Sequence, residues 1–337
     1  RKMTDTPTAS RILGVGSPIM DILAPVPDSF LEKISGAKGG MEWIKPDEMD
    51  ALLAQMPEPP QRALGGSAAN TVAALGRLGM PVALLGKIGR DADGDAYRAA
   101  FTASGGVEDS FKYDDSSPTG RCLSLITPDG ERTMRTDLGA AMLIGKSDVS
   151  DRDFQQCRHV HLEGYGLFNC EYVFHLLQMA KAAGCTVSID LASFEVVRDS
   201  MDVLPDLLKH YVEIVFANED EAAAFSGNPD PEEGLRALHA CSPVAAVKLG
   251  KDGALIRTED ACSKVDAVPV ARVIDTTGAG DCWAAGFLYG YLNGWSPEMC
   301  GEFASHVGAE TVRSLGASPD AQGWTRIRQA EATLKNR

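Results

Sequence analysis

No stretch of about 18 consecutive apolar residues occurs in this sequence, so no membrane span is expected. Its longest uncharged run, 282–297, is broken by glycine, asparagine and proline. Positive charge is scarce: 32 Lys and Arg face 47 Asp and Glu, a net charge of −15. That balance argues against a nucleic-acid partner, because non-specific binding needs a basic footprint. An anionic substrate must then meet local positive potential from a few Lys or Arg, a metal ion or a helix N-terminus. Paired-cysteine motifs are missing too. The eight cysteines, at 122, 157, 170, 185, 241, 262, 282 and 300, form no C-x-x-C pair and no zinc spacing. Several lie in apolar stretches, as buried free thiols do, which points to a reducing, cytoplasmic setting. The N-terminus lacks the apolar segment of a signal peptide, and Met3 reads as the natural start. A Walker P-loop is absent. Gly14-Val15-Gly16 is no dinucleotide fingerprint, since isoleucine stands where the third glycine belongs.

What is present is an ordinary globular composition, 44% hydrophobic and 23% charged, on a chain long enough to bury a large core. Short β-type runs alternate with helical spacing. Strands are predicted at 11–15, 82–88, 159–163, 186–190, 212–217 and 244–249. Helices are predicted at 69–78, 171–183, 219–225, 231–240, 279–292 and 297–312. This βαβ rhythm implies a mostly parallel sheet covered by helices. Segments 253–257 and 263–268 read as an edge hairpin. The middle differs: 107–113, 121–127 and 131–136 look like a meander of short strands, one turn being Pro128-Asp129-Gly130. With parts of the irregular stretch 19–64, it reads as a small β lid on one domain spanning 11–335.

The strongest local signal is Asp275-Thr276-Thr277-Gly278-Ala279-Gly280-Asp281. It follows a β-type run at 268–274 and opens an apolar helix. Helix N-termini carry unpaired N–H groups and positive partial charge. Glycines let the backbone approach a ligand, so the motif makes an anion site suited to phosphate. Asp281 falls in the first helical turn. There it either stabilises the helix start or accepts a proton from an attacking hydroxyl as a general base. Other signals are weaker. Gly65-Gly66-Ser67-Ala68-Ala69 approaches a nucleophile elbow but lacks the last glycine and a placed histidine. Its plain reading is a turn with Ser67 as helix cap. His159 and His161 alternate on one strand without further metal ligands.

At these residues the chain resembles the ribokinase, or PfkB, family of sugar and nucleoside kinases. Asp275 to Asp281 is similar to the family's C-terminal signature. Gly65-Gly66-Ser67-Ala68-Ala69-Asn70 resembles its substrate motif, Asn218-Glu219-Asp220-Glu221 its N-x-x-E motif, and Val247-Lys248-Leu249-Gly250 with Gly253 its nucleotide-binding strand and turn. The four occur in the family's order and span nearly the whole chain. The resemblance implies a three-layer α/β/α ribokinase-like fold, with a small β lid over the substrate. It implies Asp281 as general base and Gly278, Ala279 and Gly280 as anion hole. Asp21, Gly65, Gly66 and Asn70 would hold the sugar. Asn218, Lys248, Gly250 and Gly253 would meet ATP, and Asn218 and Glu221 would organise Mg²⁺ through water. The plain alternative for Asn218 and Glu221 is a helix cap and a surface carboxylate. Asp275 and the loop around 314–317 fall where the family often holds a monovalent cation such as K⁺. Arg132 or Arg135, on the lid, would swing onto phosphate.

Two departures are visible. Cys282 and Trp283 follow Asp281, where the family usually has a smaller residue and then phenylalanine. Trp283 is expected to pack in the same place, and Cys282 to be an inert thiol. The insertion before Gly65, with Asp28-Ser29-Phe30-Leu31-Glu32-Lys33 and a charged helix to Leu53, resembles adenosine kinases more than ribokinase or fructokinase. Tyr165 and Phe168 either stack on a base or belong to the core, the reading favoured here. The expectation is an ATP-dependent nucleoside kinase, monomer or homodimer. A free-sugar kinase and a catalytically silent ligand-binding member of the fold are the alternatives.

Overall fold

The computed structural model describes residues 10–129 and 131–337; Met3 and Gly130 lie outside them. In chain order the strands are β1 (Arg11–Val15), β2 (Ile19–Pro25), β3 (Met41–Trp43), β4 (Gln61–Gly65), β5 (Val82–Gly89), β6 (Gly106–Val107), β7 (Phe111–Asp114), β8 (Gly120–Ile126), β9 (Arg132–Asp137), β10 (Cys157–Glu163), β11 (Thr186–Asp190), β12 (Ile214–Asn218), β13 (Val244–Lys248), β14 (Ala254–Arg257) and β15 (Cys262–Val265). Ten of them form one large sheet. Its order is β15-β14-β13-β12-β11-β10-β1-β5-β6, with β7 also on β5. Pairing is parallel from β12–β13 through β1 to β5, and antiparallel in the β13-β14-β15 hairpin at one edge.

Both faces of this sheet are covered, which is why strands such as β12 and β13 read as apolar runs up to their last residue. All eight residues of β5 are buried. Alternation along a strand divides neighbours between two cores. Ile12, Leu84, Phe216 and Ala246 join Val72, Leu75, Phe287 and Phe303 on one face. Leu13, Leu85, Val215 and Ala245 join Val173, Leu177, Leu208 and Leu235 on the other. Helices Ser67–Arg77, Ala279–Leu292 and Pro297–Thr311 therefore cover the first face, and Cys170–Ala182, Leu204–Tyr211 and Pro231–His239 the second. This is a three-layer ribokinase-like α/β fold. No helix among the described residues is long and apolar enough to cross a membrane.

A second sheet of five strands, ordered β3-β9-β8-β2-β4, lies on the chain before β5 and between β7 and β10. The expected meander is therefore divided. Segment 107–113 contributes β6 and β7, which pair in parallel with β5 of the large sheet; only β8 and β9 belong to the second sheet. The run 268–274 is not a strand. Its Val273 and Ile274 are both 54% exposed, and its one backbone anchor near the site is Ile274 N–H to Val312 O at 2.8 Å. Its β-branched residues have no strand beside them to pair with.

Candidate active site

Four adjacent strands of the large sheet each end on a polar residue: Glu163 on β10, Asp190 on β11, Asn218 on β12 and Lys248 on β13. They share the C-terminal edge of the parallel sheet, where open α/β folds bind ligands. Two helix starts face the same edge.

The Ala279–Leu292 helix brings Asp281. Its Oδ1 accepts from Ser67 Oγ at 2.7 Å and its Oδ2 from Asn70 Nδ2 at 2.9 Å. Burial first, and then the charge of Asp190, push the Asp281 carboxyl up to about 6. Ser67 thus holds the carboxylate and does not cap its own helix. The N-cap of Ser67–Arg77 is Gly66, at φ 98°, without a side-chain cap bond. Glu163 supplies the missing acceptor: its Oε2 takes Ala68 N–H at 3.0 Å and its Oε1 takes Ser17 N–H at 2.8 Å. Burial drives Glu163 up to about 7 against those two donors. A Cβ at Gly66 would approach Ser17 O to 2.2 Å, so the turn requires glycine.

Asp21 stands on β2 opposite Ala63 of β4. Its carboxyl lies against the Gly65 backbone, where a Cβ would come within 2.5 Å. Burial raises Asp21 to about 7; Arg132 opposes the rise, and Asp281 and Asp275 add to it. Asp21, Gly65, Gly66, Asn70 and Asp281 are therefore one cluster.

Gly278 caps the Ala279–Leu292 helix in the left-handed region, φ 69°. The Ala279 N–H donates to Thr276 O at 3.2 Å, whereas those of Gly278 and Gly280 have no protein acceptor among the described residues. The open donors of the expected anion hole are thus the glycines, and the turn occupies Ala279. Lys248 leans over this start, since a Cβ on Gly280 would lie 3.1 Å from its Nζ. The ammonium donates to Asp190 Oδ2 at 2.6 Å. Burial works against the charge, but Asp190 and Glu221 hold Lys248 above the ordinary lysine value.

Asn218 and Glu221 form a reciprocal capping box, with both bonds at 2.8 Å. The helix-cap reading is therefore satisfied, but Glu221 is not a surface carboxylate: it is 2% exposed. Burial, then Asp190, raise it to about 7. Two carboxylates sharing one lysine leave room for more positive charge, and hard oxygen donors suit Mg²⁺. No group of three metal-binding side chains occurs among the described residues. Gly250 has φ 57° and open space around its Cα. Gly253 is required by the hairpin itself, because a Cβ would lie 2.0 Å from Val265 O.

Asp275 is 7% exposed and fully engaged. It accepts from Thr277 N and Oγ1 at 3.0 and 2.8 Å and from Gly316 N at 2.7 Å, and it pairs with Arg132. In this structure a guanidinium pairs with the carboxylate beside which a monovalent ion was expected. Strand alternation separates the two lid arginines. Arg132 reaches the site, whereas Arg135 is buried against Ser35 O and Glu42.

His159 and His161 are buried and bonded to Thr186 and Ser188, and burial lowers both to about 3. Cys282 is 1% exposed, and burial raises its thiol to about 12. Trp283 stacks on Phe287 at 5.6 Å. Tyr165 and Phe168 are not core: they are 46% and 69% exposed, just after Glu163. Sequence reasoning missed Glu163 and Asp190. Their signal was an acid closing an apolar strand, in His-Leu-Glu and in Ser-Ile-Asp.

A carboxylate held at a helix start beside free amides is an arrangement that can serve phosphoryl transfer. Residues 41–322 match the pfkB family of carbohydrate kinases, and the chain belongs to that family: it is a sugar or nucleoside kinase. It is 30% identical to a ribokinase of Arabidopsis thaliana over 77% of this chain and 69% of that one. Among solved structures, a probable sugar kinase of Rhizobium etli CFN 42 superposes with a TM-score of 0.86 at 32% identity, covering 97% of this chain and 99% of that one. An adenosine kinase of Sinorhizobium meliloti gives 0.84 at 34% identity, covering 96% and 100%.

Proposed function

We propose that the protein transfers the γ-phosphoryl group of ATP to the 5′-hydroxyl of a nucleoside, as an adenosine-kinase-like enzyme. The observation that carries the phosphotransfer is Asp281, fixed by Ser67 and Asn70 with its pKa raised towards neutrality. Such a carboxylate is ionised at pH 7 yet basic enough to take the hydroxyl proton. Asp21 and Asn70 hold ribose hydroxyls, and Gly65 and Gly66 let the sugar lie against the backbone. The Gly278 and Gly280 amides receive charge on the transferring group. Lys248, Gly250 and Gly253 border the donor phosphates together with Asn218. Mg²⁺ held through water by Asn218 and Glu221 would neutralise phosphate charge. The five-stranded sheet acts as a lid that excludes water, and its Arg132 is the arginine that moves from Asp275 to phosphate.

The nucleoside reading rests on two supports. An adenosine kinase is similar over 96% of this chain and 100% of its own, a range that contains the insertion before Gly65. Tyr165 and Phe168 offer exposed rings beside the site for a base. Desolvation, then the charges of Glu163, Glu221 and Asp281, raise the Tyr165 phenol, which marks its nearness to the base. Eight unpaired cysteines support a cytoplasmic setting.

The test is ADP release from Mg-ATP with adenosine, inosine, guanosine, cytidine, ribose and fructose. Turnover confined to nucleosides is expected. Turnover confined to ribose or fructose would keep the base and overturn the substrate. Binding of ATP without turnover on any of them would favour the silent binding member.

A further inference from the structure

At the end of the large sheet opposite the site, two cysteines meet. Cys157 opens β10, and Cys185 immediately precedes β11. The register His159↔Thr186 sets them one residue apart along neighbouring strands. Both pack on the same core, with Val160 and Val187, so their side chains leave the sheet on one side. The Cys185 thiol donates to Cys157 O at 3.3 Å, so its sulfur already points at the partner residue. The Cys157 thiol donates in turn to His159 O at 3.1 Å. Access is asymmetric: Cys157 is 3% exposed, and Cys185 is half-buried behind the exposed Ala183-Gly184 turn. No role in phosphotransfer engages either residue.

We propose that Cys157 and Cys185 are a modification site, an intramolecular redox pair that closes reversibly to a disulfide between β10 and β11. With a peroxide as oxidant, the Cys157 thiolate attacks one peroxide oxygen and the O–O bond breaks. This gives a sulfenic acid and releases hydroxide. Cys185 sulfur then attacks that sulfenic sulfur; the S–S bond forms, and the sulfenic oxygen leaves as water with the Cys185 proton. A thiol reductant reverses the bond. The link joins the strand starts of β10 and β11, whereas Glu163 and Asp190 lie at their other ends. It therefore staples the sheet without touching the site.

The full-length chain, reduced and then treated with hydrogen peroxide, is alkylated and mapped by mass spectrometry. The expected result is a cross-linked peptide joining Cys157 to Cys185, with two of the eight thiols lost and both recovered by dithiothreitol. Kinase turnover is retained, and Tm rises in the oxidised form, because the link restricts the unfolded chain. Cys185→Ser, a half-buried change that leaves the Cys157 environment in place, should halt the reaction at a dimedone-reactive Cys157. Two outcomes overturn the proposal: Cys157 and Cys185 remain alkylatable while exposed Cys262 is consumed, or the cross-link joins another pair.

Discussion

At the scale of single residues, Asp281 carries the most explicit expectation. Asp281→Asn keeps the size and two hydrogen-bonding atoms but removes the proton acceptor. Turnover should fall about 10²–10⁴-fold, with substrate KM nearly unchanged and a melting temperature no lower than that of wild type. Near-normal turnover would remove Asp281 from the chemistry. The ionised form is the active one, and its pKa is raised to about 6. In wild type, kcat/KM should therefore fall tenfold per pH unit below about 6 and level off above it. As candidates, Asp281 and Asn70 were legible in the sequence because they stand within glycine motifs, and Asp21 through the family resemblance. Glu163 and Asp190 were not. Each closes a strand with nothing local to distinguish it from any solvent-facing acid. Only the fold shows that Glu163 is 1% exposed and holds the amides of Ser17 and Ala68.

At the scale of elements, the Ser67–Arg77 helix is a positioning device. Gly66 frees its first turn, Glu163 satisfies an amide there, and Ser67 and Asn70 are left to grip Asp281. Gly66→Ala strains a φ of 98° and drives a Cβ to 2.2 Å from Ser17 O. Strain of this kind costs about 1–3 kcal/mol. It should lower kcat at least tenfold, and a double variant with Ser67→Ala should lose less than the product of the two. Full additivity in that double variant would separate the turn from the base. The two arginines of β9 should divide in the same way. Arg132→Ala should depress turnover and also lower Tm, because buried Asp275 loses its guanidinium. Arg135→Ala should lower Tm, because Arg135 is 2% exposed and anchors Ser35 O. Most strands and helices were legible, since burial on both sheet faces writes long apolar runs. The run 268–274 misled for a physical reason: β propensity reflects packing against a neighbour, and these residues have none. Segment 107–113 misled differently. Strand character was visible there, but whether it pairs with β5 or with the second sheet depends on partners far along the chain.

At the scale of the whole molecule, the site concentrates acid in a chain of net charge −15. Burial raises Asp21, Glu163 and Glu221 to about 7 and Asp281 to about 6. In the unfolded chain the same groups titrate near 4. Between about pH 4 and 7 the folded state thus binds more protons than the unfolded one. Stability must then fall as pH rises through that range, and the penalty is complete above it. Two buried histidines oppose this. His159 and His161 are lowered to about 3, so only the unfolded state protonates them below pH 6.5. Burial lowers His306 as well, so the histidines contribute at most three protons against four, and the carboxylates prevail. The ligand-free protein should accordingly melt at a higher temperature at pH 6 than at pH 8, unlike a fold held mainly by ionised acid–base pairs. Glu163→Gln removes one of the four groups and should flatten the difference. A Tm higher at pH 8 than at pH 6 would mean that the four acids are already compensated in the empty protein. If the trend holds, Mg²⁺ should raise Tm more at pH 8 than at pH 6, because an ion held near Glu221 competes with protons for the same charge.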